Sequence, residues 1–134
     1  EPLFGGLARL LTAATGEPFD EDGLIRAADR IYTLEKAFNA RRGITSAHDS
    51  IPLNPDHFGP DDMERERARH RALLERYYAL QGQDPVTGIP TRTRMEELGL
   101  GAEAQRLYTE GPYEEWDGPR LWSPQSYPRG GRRS

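Results

Sequence analysis

Between the acidic turn Asp20-Glu21-Asp22 and Gly43, apolar side chains return at steps of three and four residues: Leu24, Ala28, Ile31, Leu34 and Phe38. That is the period of a helix with one buried face. Asp20 can accept hydrogen bonds from the free N–H groups of the first turn, and the acids beside it suit the positive end of the helix dipole. Arg41 and Arg42 stand at or just past the other end, where cations are favoured, and Gly43 can take the left-handed conformation that closes a helix.

The rest of the chain arranges itself around this helix. Upstream, Phe4, Leu7, Leu10, Leu11 and Ala14 mark one face of a short helix that can start at Pro2 and stop at Gly16. Only Glu17-Pro18-Phe19 separates it from the acidic turn, so the two helices are expected to form an antiparallel hairpin that shares its apolar faces. Ile31, Leu34 and Phe38 are then the expected core, with Leu11 opposite. Downstream, Pro52, Pro55, Gly59 and Pro60 rule out a long regular element, and Ile44, Ile51, Leu53 and Phe58 read as anchors of an ordered loop.

A third helix is expected from Asp61 to about Gln81, with Met63, His70, Leu73, Leu74, Tyr77 and Leu80 as its apolar stripe. Its first half mixes Glu64, Glu66 and four arginines, the pattern of a solvated face with spaced ion pairs. Asp84-Pro85-Val86-Thr87-Gly88 reads as a tight turn. Thr91 is a good N-cap for a short helix carrying Met95 and Leu98, and Ala102 to Glu110 can form one more. The reading is an all-α domain of four to five helices over residues 1–110, with a long irregular loop. An irregular Pro/Gly/aromatic tail follows over 111–134, where Trp116, Leu121, Trp122 and Tyr127 can strap it to the body or a partner.

Several functions are excluded or disfavoured by what is missing. The chain has no cysteine, hence no disulfide framework and no thiolate ligands of its own for zinc or an iron–sulfur cluster. The formal net charge of −4 argues against a general polyanion binder. An Arg-rich third helix and the Arg129-Gly130-Gly131-Arg132-Arg133 tail leave nucleic-acid binding as a weak third possibility. No apolar run approaches the roughly 20 residues of a membrane span, no signal peptide is expected, and the expected location is cytoplasmic. The chain starts at Glu1 rather than Met, which reads as a cut or processed end. There is no glycine-rich phosphate loop after a strand, and no serine in a nucleophile-elbow context. His48-Asp49, Asp56-His57 and Asp61-Asp62 are the side chains that could ligate a metal ion, but they do not make a recognisable ligand set. Loop Asp and His residues more commonly cap turns.

Two separated segments become informative together. The first is Arg30-Ile31-Tyr32-Thr33-Leu34-Glu35-Lys36-Ala37-Phe38-Asn39-Ala40-Arg41-Arg42-Gly43 with His48-Asp49-Ser50-Ile51-Pro52. The second is Tyr77-Tyr78-Ala79-Leu80-Gln81-Gly82-Gln83-Asp84 with Gly88-Ile89-Pro90-Thr91 and Glu96-Glu97-Leu98-Gly99-Leu100. In order and spacing, from about Leu7 to Leu100, they resemble the C-terminal helical domain of the aldehyde ferredoxin oxidoreductase family. Arg42, His48 and Gln83 depart from that family's usual glutamate, aspartate and tryptophan, and the stretch between Phe58 and Leu74 is unlike its usual spacer.

The resemblance implies a C-terminal part or subunit of a tungsten enzyme that oxidises aldehydes to carboxylic acids. Such an enzyme carries a tungsten bis-pterin (molybdopterin-type) cofactor and a [4Fe-4S] cluster, and passes electrons to ferredoxin. It implies that the cofactor and cluster are held by upstream domains or a partner subunit, so that this chain alone binds no metal or cofactor and is inactive. It also makes Asn39, Arg41 and Asp49 the candidate cofactor-proximal residues of the complete enzyme, with no catalytic residue in this chain. A stand-alone helical interaction module is the alternative.

Overall fold

The computed structural model describes residues 3–118. Pro2, Leu121, Trp122, Tyr127 and the Arg129–Arg133 stretch, each given a role above, lie outside the described residues. Five α-helices make the architecture: α1 (Leu3–Thr15), α2 (Glu21–Ala40), α3 (Pro60–Gln81), α4 (Arg92–Glu97) and α5 (Gly101–Tyr108). A short 3-10 turn, Ser46–His48, interrupts the loop between α2 and α3. No strand occurs among the described residues, apart from one isolated bridge between Gln83 and Pro90. The domain is all-α.

The helix ends follow from local chemistry. The Asp20 carboxylate accepts the Gly23 N–H at 2.7 Å, capping α2 as its sequence requires. At the other end the chain turns through Gly43, at φ 84°, and the N–H groups of Arg42 and Ile44 both donate to the Asn39 carbonyl. Pro60 opens α3, where its missing N–H is not needed, and Gly82 closes it at φ 73°. A side chain at Gly82 would be doubly penalised, since a Cβ there would lie 2.6 Å from Cγ of Arg94. Thr91 caps α4 by accepting from Arg94 N–H at 3.2 Å, and its hydroxyl donates to the Gly82 carbonyl at 3.0 Å.

The core sits at the C-terminal half of the domain. Ala37 and Ala40 of α2 meet Ile89, Met95, Leu98, Leu100, Ala104, Leu107 and Tyr108. The hydroxyls of Tyr108 and Tyr113 donate to the carbonyls of Pro90 and Ala40, each at 2.6 Å, so the buried rings keep their polar tips satisfied. Arg92 pairs with Glu115 at 2.7 Å, and through Tyr113 and Glu115 the chain after α5 is held to the body.

Here the core expectation needs correcting. Ile31, Leu34 and Phe38 are 61%, 42% and 55% exposed, and Leu11 is exposed too. The face of α2 that packs inward is Thr33, Ala37 and Ala40. Small side chains let α5 approach α2 closely; the larger apolar residues lie on another face of the same helix and keep much of their surface exposed, with the Arg42 guanidinium over the Phe38 ring. The hairpin contact exists, but α1 buries only Ala8 in it. Its polar hinge is Thr12, whose hydroxyl accepts the Phe19 N–H at 2.9 Å. Ile44 and Ile51 are likewise exposed rather than anchored.

Helix α3 reaches the body near its C-terminal end. Tyr78 is buried, whereas Leu73, Tyr77 and Leu80 are exposed. In its first half Arg65 pairs with Asp62 at 2.9 Å and Arg69 with Glu66 at 3.7 Å, the solvated charge pattern expected from the sequence.

Candidate functional site

The segment from Asn39 to Pro52 leaves the end of α2 and is fixed at two points. Ser46 is the first: its N–H donates to the Thr87 carbonyl at 2.8 Å and its hydroxyl to the Val86 carbonyl at 2.6 Å. Those carbonyls are presented by the tight turn at Asp84, whose carboxylate accepts the Val86 N–H at 2.7 Å and the Thr87 N–H at 3.2 Å.

Asp49 is the second. Its carboxylate accepts the Tyr78 hydroxyl at 2.5 Å and the Lys36 ammonium at 3.3 Å. The His70 ring nitrogen Nε2 lies 3.1 Å from the Asp49 carbonyl and donates to it. One residue of the loop is thereby joined to α2 and, twice, to α3. The Lys36 ammonium also lies 5.5 Å from the Tyr78 ring centre, over its face. Burial pushes the Asp49 carboxyl up, but the Tyr78 hydroxyl and the Lys36 charge outweigh it and hold the group below the usual carboxylate range. Burial, the Asp49 hydrogen bond and the Asp49 charge all push the Tyr78 phenol up.

The three candidate residues therefore occupy different settings. Asp49 is committed to Tyr78 and Lys36. Asn39 uses its backbone carbonyl to close α2. Arg41 is exposed and lines a cleft of about 160 Å³ between α2 and α5. Arg42, beside it, lays its guanidinium 4.0 Å from the centre of the Phe38 ring.

The possible metal ligands separate. The His48 ring accepts the Thr45 N–H through Nδ1 at 3.2 Å, closing the 3-10 turn, while its neighbour Asp49 points to Tyr78. Asp62 pairs with Arg65. Among the described residues no three His, Asp or Glu side chains gather into a group that could hold a metal ion. Lys36 and Tyr78 stand in the two segments that carry the resemblance and His70 in the expected stripe of α3, but no sequence motif paired them with Asp49, or Arg106 with Arg41. They meet across 13 to 65 residues of chain, and periodicity carries no information at that range. Gln83 is buried, and its amide finds no partner among the described residues.

Comparison with known proteins gives one consistent answer. A family model described as aldehyde ferredoxin oxidoreductase, domains 2 and 3, matches residues 3–100. The tungsten-containing aldehyde ferredoxin oxidoreductase of Pyrococcus furiosus is 32% identical over 96 residues, covering 68% of this chain and 15% of the relative. The protein of the same description from Thermococcus kodakarensis matches with the same identity and coverage. Among solved structures, the active site complex BamBC of benzoyl coenzyme A reductase, in complex with 1,5-dienoyl-CoA, superposes with a TM-score of 0.69 at 29% identity. That match covers 84% of this chain and 16% of the other. The chain thus spans about 15% of the length of the curated relatives it matches.

Proposed function

The chain belongs to the aldehyde ferredoxin oxidoreductase family, and from that premise we propose that it is the C-terminal helical part, or a separate subunit, of a tungsten oxidoreductase of this kind. The complete enzyme oxidises an aldehyde to its carboxylic acid. Water supplies the added oxygen, and two electrons leave through a [4Fe-4S] cluster to ferredoxin. This chain contributes helical scaffold and part of the wall of the substrate channel. Residues 1–110 are the scaffold and 111–134 an appended tail. The setting is cytoplasmic; no helix among the described residues is long and apolar enough to cross a membrane.

The observation that carries this reading is the uncovered stripe of α2. A helix that buries Ala37 and Ala40 on one face and exposes Ile31, Leu34 and Phe38 on another sits between two bodies. One body is the core of this domain. The other, in a chain that spans 15% of its relatives, is the rest of the enzyme.

A tungsten–pterin group would supply oxygen-atom and two-electron chemistry to that enzyme. The residues of this chain do not fit as its ligands. There is no cysteine, and the described His, Asp and Glu side chains do not converge. No chemical step is therefore assigned to this chain. Its part is positional: Asp49, locked by Tyr78 and Lys36, sets the path of the Asn39–Pro52 loop, and that loop, with Arg41 exposed on it, is the part turned to the cofactor-bearing domains. Arg41 offers that part a forked contact to a carboxylate or phosphate.

The test is aldehyde-dependent reduction of ferredoxin by the natively purified assembly that contains this chain. Reduction that requires both the aldehyde and the assembly supports the proposal; an assembly inert toward every aldehyde tried, with its metal content intact, counts against it. A stand-alone helical interaction module is the second reading, since the same stripe would serve any protein partner. It is favoured if the chain purifies with no polypeptide of this oxidoreductase family.

A further inference from the structure

The cleft between α2 and α5 has a specific composition. Leu34, Ala37 and Phe38 form its apolar floor, and Arg41, Arg106 and Glu103 form its rim. Arg42 adds a third guanidinium beside it, stacked on Phe38. Three cations and one carboxylate thus border an exposed apolar stripe, in a chain whose formal net charge is −4. The local charge is opposite to that of the whole.

The placement of these cations has a physical consequence. Arg41 and Arg106 come from different helices and are both exposed, so each guanidinium can turn toward a group entering the cleft. Like charges brought to one rim repel, and an entering anion removes that repulsion as well as forming forked hydrogen bonds. The floor meanwhile exposes Leu34 and Phe38, which gain from being covered by an apolar side chain. An inorganic anion would satisfy only the rim. A purely apolar segment would satisfy only the floor and would leave the arginines partly desolvated.

We propose that this cleft seats one segment of the tungsten-bearing part of the same enzyme, a segment that places an apolar side chain on Leu34 and Phe38 and an adjoining Asp or Glu carboxylate between Arg41 and Arg106. The inference rests on the assignment made above and narrows it to one contact. The length supports this occupant over a second copy of the chain: the match takes up 15% of the relative, and the other 85% of that protein (100% less 15%) needs a surface to meet the matched part. Charge supports it over a face-to-face pair of copies, which would bring the same arginines to the same place and repel.

The experiment uses the full chain produced in its natural assembly, with a photo-crosslinking phenylalanine derivative at the position of Leu34. That side chain is 42% exposed, so the change falls outside the buried core. After irradiation the crosslinked peptides are mapped by mass spectrometry. The expected product joins position 34 to a segment of the tungsten-bearing part in which an apolar residue adjoins Asp or Glu. In the double variant Arg41→Glu with Arg106→Glu, the crosslink yield falls at least tenfold, while Glu103→Gln leaves it unchanged or raises it. A crosslink between two copies of this chain overturns the proposal, as does a crosslink to a segment without a carboxylate. If the tungsten-bearing part copurifies but position 34 does not reach it, this contact fails and the family-level function stands. If no tungsten-bearing part copurifies, the functional assignment fails, and this contact with it.

Discussion

Arg94, on α4, reaches back 65 residues to place Nη2 2.5 Å from the Asp29 carboxylate of α2, and both side chains are nearly out of solvent, at 10% and 15% exposure. The pair ties the start of the α4–α5 unit to the middle of α2 on the same side as the Ala37–Ala40 contact. It lies beside Gly82, whose lack of a side chain leaves room for the arginine stem. Removing one partner would take a charge-assisted hydrogen bond from a poorly solvated group. Asp29→Ala is expected to destabilise the chain by about 1.5–3 kcal/mol. Replacing both residues together with apolar side chains of similar volume should recover much of that loss. Urea denaturation of the two variants measures it, and a double replacement no more stable than Asp29→Ala would show that the pair is not coupled.

The Asp49 knot makes stability depend on pH at both ends of the scale. The Asp49 carboxyl is held below its usual range in the folded chain, so its contribution is present above about pH 4 and is lost as pH falls through the lower folded value. The Tyr78 phenol is pushed up, so its contribution is intact below about pH 10 and is lost as pH rises beyond that. Tyr78→Phe removes a buried hydroxyl bonded to a carboxylate and should cost about 1.5–3 kcal/mol at neutral pH. Thermal melts across pH check both limbs. A Tyr78→Phe variant with an unchanged alkaline limb would show that another group sets it.

Core energetics should follow the observed faces of α2. Met95 is fully buried, and Met95→Ala is expected to cost about 2–5 kcal/mol. Phe38 is more than half exposed, so Phe38→Ala in the isolated chain should cost about 1 kcal/mol or less. In the complete enzyme the same Phe38→Ala should cost more under the proposed contact, which covers the ring. Equal losses for Phe38→Ala and Met95→Ala in the isolated chain would contradict the assignment of faces.

Much of this fold was legible in the sequence because its helix ends are written in side-chain chemistry. Asp20, Gly43 and Thr91 each mark a boundary that the structure keeps. The core was not legible. Periodicity finds an apolar stripe but does not say which body covers it. On α2 the larger residues, Ile31, Leu34 and Phe38, gave the stronger signal, while the inward face used Thr33, Ala37 and Ala40. The site was legible only in part. Asn39, Arg41 and Asp49 stood out through a family motif, but that Asp49 is tied to Tyr78 and Lys36 depends on a fold that brings α3 back to the loop.

Arg41 offers a variant that separates fold from assembly. Its side chain is exposed at the cleft, so Arg41→Ala should leave the far-ultraviolet circular dichroism and the melting temperature of the isolated chain within error. In the complete enzyme the same change should lower tungsten occupancy or aldehyde oxidation several-fold. Unchanged occupancy and activity would return Arg41 to a purely local role at the end of α2.

Elemental analysis of the assembly purified through this chain, from the cells that make it, tests the central claim most directly. The expected result is tungsten in fixed stoichiometry with the chain, together with iron in the ratio of four per cluster that a [4Fe-4S] group requires. A pure assembly that contains the intact chain and neither metal, from cells supplied with both, would contradict it.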